Sequence, residues 1–280
     1  MITVKNKIVF LLLFLMAGAL SSSPAQVSPQ PPVVPTHQDI SIELKRGAMP
    51  ILLYPVKLDD SLKTPKALIL FGSGGGGWCW WEDKVCDSLR KNGYEILGID
   101  TRLYSLTDYD IDILQQDFQT LAQYGLKPYG EHPPPLIMGG WSSGAEQAVA
   151  AGGGPHPPAG LVGLLLIAPG SWGGYGWYAS HDYGPHLMKK GTFDLTDFAP
   201  NLTRLRIVQW HADLDILDSR SWLSSLKAPH REYDLGYAIH DFGEASDEFL
   251  TRLNDSLNWI LDKNGDAPAP SPPSDNSLQK

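Results

Sequence analysis

The pentapeptide Gly140-Trp141-Ser142-Ser143-Gly144 constrains this chain more than any other stretch. It follows the apolar run Leu136-Ile137-Met138 and opens an alanine-rich segment, Ala145 to Ala151. A strand must therefore turn into a helix within two or three residues. Such a turn leaves no room for side chains at its first and last positions, hence the flanking glycines, and it pushes the central serine into the open. Gly-x-Ser-x-Gly alone is weak evidence in a chain with 28 glycines. The strand before it and the helix after it give the match its weight. In this context Ser142 reads as a nucleophile, and the Ser143 N–H, first in the helix, faces the charge that would develop beside it.

Short β-rich apolar runs alternate with amphipathic stretches along the rest of the chain. Strands are predicted at Ile40–Leu44, Ile51–Val56, Ala67–Phe71, Tyr94–Ile99, Pro135–Met138, Leu161–Ile167, Leu205–Trp210 and Glu232–Gly236. Helices are predicted at Trp81–Asn92, Ile111–Tyr124, Ala145–Ala151 and Glu244–Leu261. The alternation implies an α/β class with a mostly parallel central sheet covered by helices on both faces. Together with the serine turn, the order matches the α/β-hydrolase fold.

A nucleophilic serine needs oxyanion donors, a base and an acid. After the strand Ala67–Phe71 comes Gly72-Ser73-Gly74-Gly75-Gly76-Gly77-Trp78. Adjacent glycines let backbone N–H groups turn toward a carbonyl oxygen, so Gly74 and Gly75 are candidate donors beside Ser143. A dinucleotide-binding reading would use Asp100 as the acidic residue at the end of the next strand. The Ser142 turn explains both features with one fold. A phosphate-binding P-loop lacks its Gly-Lys-Ser/Thr.

In this fold the nucleophile precedes the acid, and the acid precedes the histidine. His240, in Tyr237-Ala238-Ile239-His240-Asp241-Phe242, falls between the last strand and the closing helix and is the candidate base. His211 ends the preceding strand, and His230 follows Pro229 in a polar loop. The acid should lie in His211-Ala212-Asp213-Leu214-Asp215-Ile216-Leu217-Asp218. Asp215 fits best, with Asp213 as its rival and a helix cap as the role expected for the loser. A metal site at His181, Asp182 and His186 is disfavoured, because the spacing does not place the histidines on one helical face. No metal or other cofactor is expected.

The chain carries 9 Trp and 11 Tyr, more large aromatic surface than a core of this size usually needs, which points either to a site for apolar or ring-bearing groups or to plain packing. Trp78, Trp141, Trp172 and Trp177 are the candidate substrate contacts, with Trp80 and Trp81 as further neighbours. The aromatic segment between Gly170 and Pro200 is expected to cover the nucleophile. A formal charge of −9 argues against nucleic acid and against an anionic membrane surface.

The N-terminus places Lys5 and Lys7 before an apolar run from Ile8 to Leu20, followed by Ser21-Ser22-Ser23-Pro24-Ala25. These are the parts of a secretory signal with cleavage after Ala25, and the apolar run is shorter than the ~20 residues a spanning helix needs. The expected organisation is a signal peptide at 1–25, a flexible linker at 26–37, one folded domain at 38–265 and a disordered tail at 266–280. Export would place the protein in the periplasm or outside the cell. There Cys79 and Cys86 could pair only if Cys79 precedes the helix, and two free thiols are the other outcome.

The run Leu70-Phe71-Gly72-Ser73-Gly74-Gly75-Gly76-Gly77-Trp78, the later Gly98-Ile99-Asp100 with Tyr104-Ser105, and Gly140-Trp141-Ser142-Ser143-Gly144-Ala145 resemble the VirJ/AcvB group of bacterial periplasmic serine hydrolases, named for virulence proteins associated with type IV secretion. The likeness runs from about residue 65 to 245. It departs where the group's loop reads Ser-Gly-Asp-Gly-Gly-Trp, because Gly75 takes the acidic position. The resemblance implies an exported serine hydrolase, with some members acting on aminoacylated phosphatidylglycerol. The resulting expectation is hydrolysis of an ester or related acyl bond in a small molecule or lipid. The alternatives are an exported peptidase or amidase using the same triad, and a non-catalytic module that binds a periplasmic protein partner.

Overall fold

The computed structural model describes residues 36–56, 63–176 and 191–262. The expected signal peptide, nearly all of the expected linker and the C-terminal tail lie outside the described residues, as do Trp177, His181, Asp182 and His186.

Eight strands form one sheet: β1 (Gln38–Leu44), β2 (Gly47–Tyr54), β3 (Leu68–Gly72), β4 (Glu95–Ile99), β5 (Leu136–Trp141), β6 (Leu161–Ile167), β9 (Arg206–Ala212) and β10 (His230–Leu235). Their spatial order is β1-β2-β4-β3-β5-β6-β9-β10. β1 pairs antiparallel with β2, and β2 antiparallel with β4. Every pairing from β4 to β10 is parallel. β7 (Trp172–Gly174) and β8 (Thr192–Asp194) make a separate antiparallel ribbon.

The parallel strands are apolar at successive residues because both faces of the sheet are covered. In β3, Leu68 and Leu70 face one core while Ile69 and Phe71 face the other; in β6, Leu164 and Leu166 oppose Leu165 and Ile167 in the same way. Helices α3 (Ile111–Leu126) and α4 (Ser143–Gly153) cover the first face with Phe118, Leu121, Ala148 and Val149. Helices α1 (Trp80–Lys91) and α5 (Asp247–Leu261) cover the second with Trp81, Val85, Phe249 and Leu253. Each of the valine, leucine and phenylalanine side chains among them contributes roughly 1.5–3 kcal/mol of transfer free energy on burial. One short helix, α2 (Thr101–Tyr104), follows β4, capped by the Asp100 carboxylate on the Leu103 N–H.

The expected closing helix at Glu244–Leu261 starts three residues later. Phe242, Gly243, Glu244 and Ala245 hold left-handed backbone, with φ between 54° and 62°, and a right-handed helix cannot pass through them. Ser246 then caps α5 through the Phe249 N–H. Cys79 sits before α1, as pairing would require, yet both cysteines are free, Cys79 exposed and Cys86 buried.

The parallel strands all run in one direction, so their carboxyl ends share one edge of the sheet. The loops after β3, β4, β5, β6, β9 and β10 leave from that edge, which is where open α/β sheets bind ligands.

Candidate active site

The turn from β5 into α4 is as tight as the sequence requires. Ser142 has φ 51° and ψ −119°, a conformation that costs a non-glycine residue on the order of 1–3 kcal/mol. Three glycines make it sterically feasible. A Cβ on Gly140 or Gly144 would lie 2.3 or 2.2 Å from the Gly72 carbonyl oxygen, and one on Gly72 would lie 2.7 Å from the Gly144 Cα. β3, β5 and α4 thus meet through bare backbone. The Ser142 N–H is fixed to the Ile167 carbonyl at 2.8 Å.

His240 and Asp215 arrive from the ends of β10 and β9. His240 Nδ1 lies 2.5 Å from Asp215 Oδ2, with the carboxylate almost fully buried and the imidazole at 23% exposure. The second Asp215 oxygen accepts the Leu217 N–H at 2.8 Å. With Nδ1 held by the carboxylate, Nε2 is the nitrogen left to take a proton. Ser142 Oγ makes no hydrogen bond among the described residues, so the structure joins Asp215 to His240 but not His240 to Ser142. In an unliganded site this contact is often long.

The other two carboxylates of the loop have separate roles. Asp213 is exposed and caps no helix, contrary to expectation; its N–H donates to the Leu235 carbonyl. Asp218 pairs with the buried His211, Oδ2 to Nδ1, at 2.7 Å. His230 is exposed at the start of β10, as its polar loop predicts.

The glycine loop corrects one expected donor. The Gly74 N–H is already committed to the buried Glu82 Oε1 at 3.2 Å, and the Cys79 N–H takes Glu82 Oε2 at 3.0 Å. Glu82, its carboxyl pushed up by burial, therefore staples the loop to α1. The N–H groups of Gly75 and Ser143 have no acceptor among the described residues. They are also neighbours, since a Cβ on Gly75 would lie 3.1 Å from Ser143 Oγ.

Two of the expected substrate tryptophans have other work. Trp78 is packed against Tyr54, Phe71 and the bare face of Gly98, and its Nε1 donates to Asp83 at 2.9 Å. It lines no part of the cavity at Ser142. Trp141 donates its Nε1 to the His240 carbonyl at 2.9 Å and lies 5.0 Å from the imidazole, centroid to centroid. Trp81, stacked on Trp141 at 4.6 Å, donates to the next carbonyl, that of Asp241, at 2.7 Å. These two indoles hold the histidine loop. Trp80 is exposed and Trp81 buried, and neither lines the cavity.

A cavity of about 340 Å³ opens at Ser142 and Ser143. Its wall includes Trp172, the one expected substrate tryptophan among the described residues found there, with Ile216 and Leu217 from the Asp215 loop. It also includes Glu146, one helical turn beyond Ser142, which no motif signalled. Its Oε1 accepts the Gly170 N–H at 3.0 Å, and burial pushes its carboxyl up to about 7, an effect the Gly170 contact only partly offsets. Of the aromatic segment expected to cover the nucleophile, the β7–β8 ribbon is described and residues 177–190 are not. Among the described residues no group of three or more metal-ligating side chains occurs, and no helix is long and apolar enough to cross a membrane.

A family model described as bacterial virulence protein (VirJ) matches residues 66–151, the stretch from the start of β3 into α4. No curated protein gives a significant match. Among solved structures, the esterase domain of a Rhodothermus marinus protein is 14% identical, with 80% of this chain and 98% of that one covered and a TM-score of 0.56. Est1E from Butyrivibrio proteoclasticus is 11% identical over 80% and 98%, at a TM-score of 0.56. A soluble variant of the monoglyceride lipase of Saccharomyces cerevisiae is 14% identical over 83% and 97%, at 0.59. Likeness at these identities speaks to the fold. Residues 66–151 are thus similar to the VirJ family, and the chain is built on the α/β-hydrolase fold.

Proposed function

We propose that this protein hydrolyses esters or related acyl bonds by way of an acyl-enzyme on Ser142. The observation that carries the reading is the buried Asp215 carboxylate bonded to His240 Nδ1, on loops leaving the same sheet edge as the strained Ser142 turn. In the first half of the reaction Ser142 Oγ attacks the carbonyl carbon and its proton passes to His240 Nε2. The N–H groups of Gly75 and Ser143 then stabilise the oxyanion. His240 returns the proton to the departing alkoxide, leaving an ester on Ser142. In the second half water attacks that ester, His240 takes the water's proton, and the acid leaves as Ser142 recovers its own. Asp215 keeps the imidazole in the right tautomer and opposes its charge. Structural likeness to an esterase domain and a monoglyceride lipase agrees with this chemistry. Export by residues 1–25 belongs to the same reading, as does an envelope ester as substrate.

Hydrolysis of p-nitrophenyl acetate provides the test. Replacing Ser142 by Ala, or His240 by Ala, should each lower kcat by on the order of 10³-fold or more. A Ser142→Ala protein that keeps wild-type turnover would refute the assignment.

A further inference from the structure

Beyond Ser142 and Ser143 the cavity has an unusually polar wall: Glu146, Ser171, Asp218 and Ser219, with Trp172 beside them. The Asp218 side chain is only 5% exposed, and while Oδ2 is bonded to His211, Oδ1 is buried without a hydrogen-bond partner among the described residues. A buried carboxylate oxygen left unpaired is costly, so this acceptor calls for a donor from a ligand. Ser171 and Ser219 lie 2.5 Å apart, Oγ to Oγ, and both reach Ser221, at 2.8 and 3.0 Å. Each hydroxyl can donate or accept. Glu146, with a carboxyl that titrates near neutrality, supplies a donor when protonated as well as acceptors.

Among the described residues no Lys or Arg lines this cavity. Among these residues an anion would meet two carboxyl groups and no cation. An ammonium group could satisfy Asp218 Oδ1, but it only donates, and would leave the hydroxyl of a protonated Glu146 unanswered. Adjacent hydroxyls on a carbon frame donate and accept together, and their C–H face suits an indole.

We propose that this cavity binds a polyhydroxyl group, a sugar or similar polyol, which in the substrate is the alcohol portion of the ester attacked by Ser142. The second half of this statement rests on the serine-hydrolase reading; the binding itself does not.

The full chain can be tested by saturation-transfer NMR with methyl β-xyloside, using ethylammonium as a cationic comparator. Transfer to the glycoside is expected with roughly millimolar affinity, weakened about tenfold or more in Asp218→Ala. Trp172→Ala, on the ribbon rather than in the sheet, is a second variant should Asp218→Ala fail to fold, and the same loss is expected. Absence of transfer to the glycoside, transfer unchanged in the folded variants, or binding of ethylammonium in preference to the glycoside would each overturn the proposal. On the catalytic side, kcat/KM for an acetylated methyl xyloside should exceed that for ethyl acetate by roughly tenfold, and Asp218→Ala should bring the ratio toward one. A ratio near one in the wild type would overturn the substrate assignment. A protein that binds the glycoside but cleaves neither ester would retain the polyol site and remove the hydrolase reading.

Discussion

Ser142 occupies a backbone conformation that the chain would not adopt unaided, and three glycines from three elements make it tolerable. Gly144→Ala should therefore do more than a glycine substitution in a helix commonly does. Its methyl would be driven into the Gly72 carbonyl, backbone that cannot step aside, so we predict a loss of stability beyond ~3 kcal/mol or no folded protein, read by chemical denaturation. Asp215 and Asp213 offer a cleaner contrast, since they are two residues apart and only Asp215 meets His240. Asp215→Asn should reduce kcat for p-nitrophenyl acetate by about 10³–10⁴-fold, while Asp213→Asn should stay within roughly threefold. The reverse ranking would overturn the assignment of the acid. Glu146 carries a pH prediction. Its carboxyl is raised from 4.5 to about 7, so the folded protein binds more protons than the unfolded chain between those values. Stability should fall as pH rises from about 4.5 to about 7 and level off above it. Glu146→Gln keeps an acceptor for the Gly170 N–H and removes the titration. It should match the wild type near pH 4 and exceed it at pH 8 by on the order of 1–3 kcal/mol, measured by denaturation at both values. Parallel pH profiles for the two proteins would contradict this.

At the scale of elements, the histidine loop depends on tryptophans from elsewhere in the chain. Trp141, at the end of β5, and Trp81, in α1, hold consecutive carbonyls at His240 and Asp241. Trp141→Phe keeps the ring stack and loses one hydrogen bond of about 1 kcal/mol, so kcat/KM should drop about three- to tenfold with the fold intact by circular dichroism. An unchanged kcat/KM would mean that the loop is held by other contacts. Nothing in the sequence signalled this role, because hydrogen bonds spanning 99 and 160 residues leave no local pattern. The strands were legible for the opposite reason: burial on both faces writes apolar residues into successive positions, as in Leu68-Ile69-Leu70-Phe71. Composition shows that a glycine loop can turn its amides but not where they point, as at Gly74. Only the fold brings Glu82 up to take that N–H. The start of α5 lies three residues later than the sequence predicts because four left-handed residues, three of them with a Cβ, have no sequence signature.

For the whole molecule, topology gathers the site. A sheet whose strands run parallel from β4 to β10 delivers six loops to one edge, and Ser142, Asp215, His240 and the cavity wall all come from those loops or the helix behind them. That gathering was readable from the alternation of strand and helix and from the order of serine, aspartate and histidine. The polar wall was not, since Glu146, Ser171 and Asp218 meet only in three dimensions. The central claim, a nucleophilic Ser142 served by His240, is tested most directly by treating the folded protein with a fluorophosphonate and mapping the labelled peptide. A single adduct on Ser142, formed far more slowly in His240→Ala, is the predicted result. No adduct on Ser142 in protein shown to be folded, or an adduct formed equally fast without His240, would contradict it.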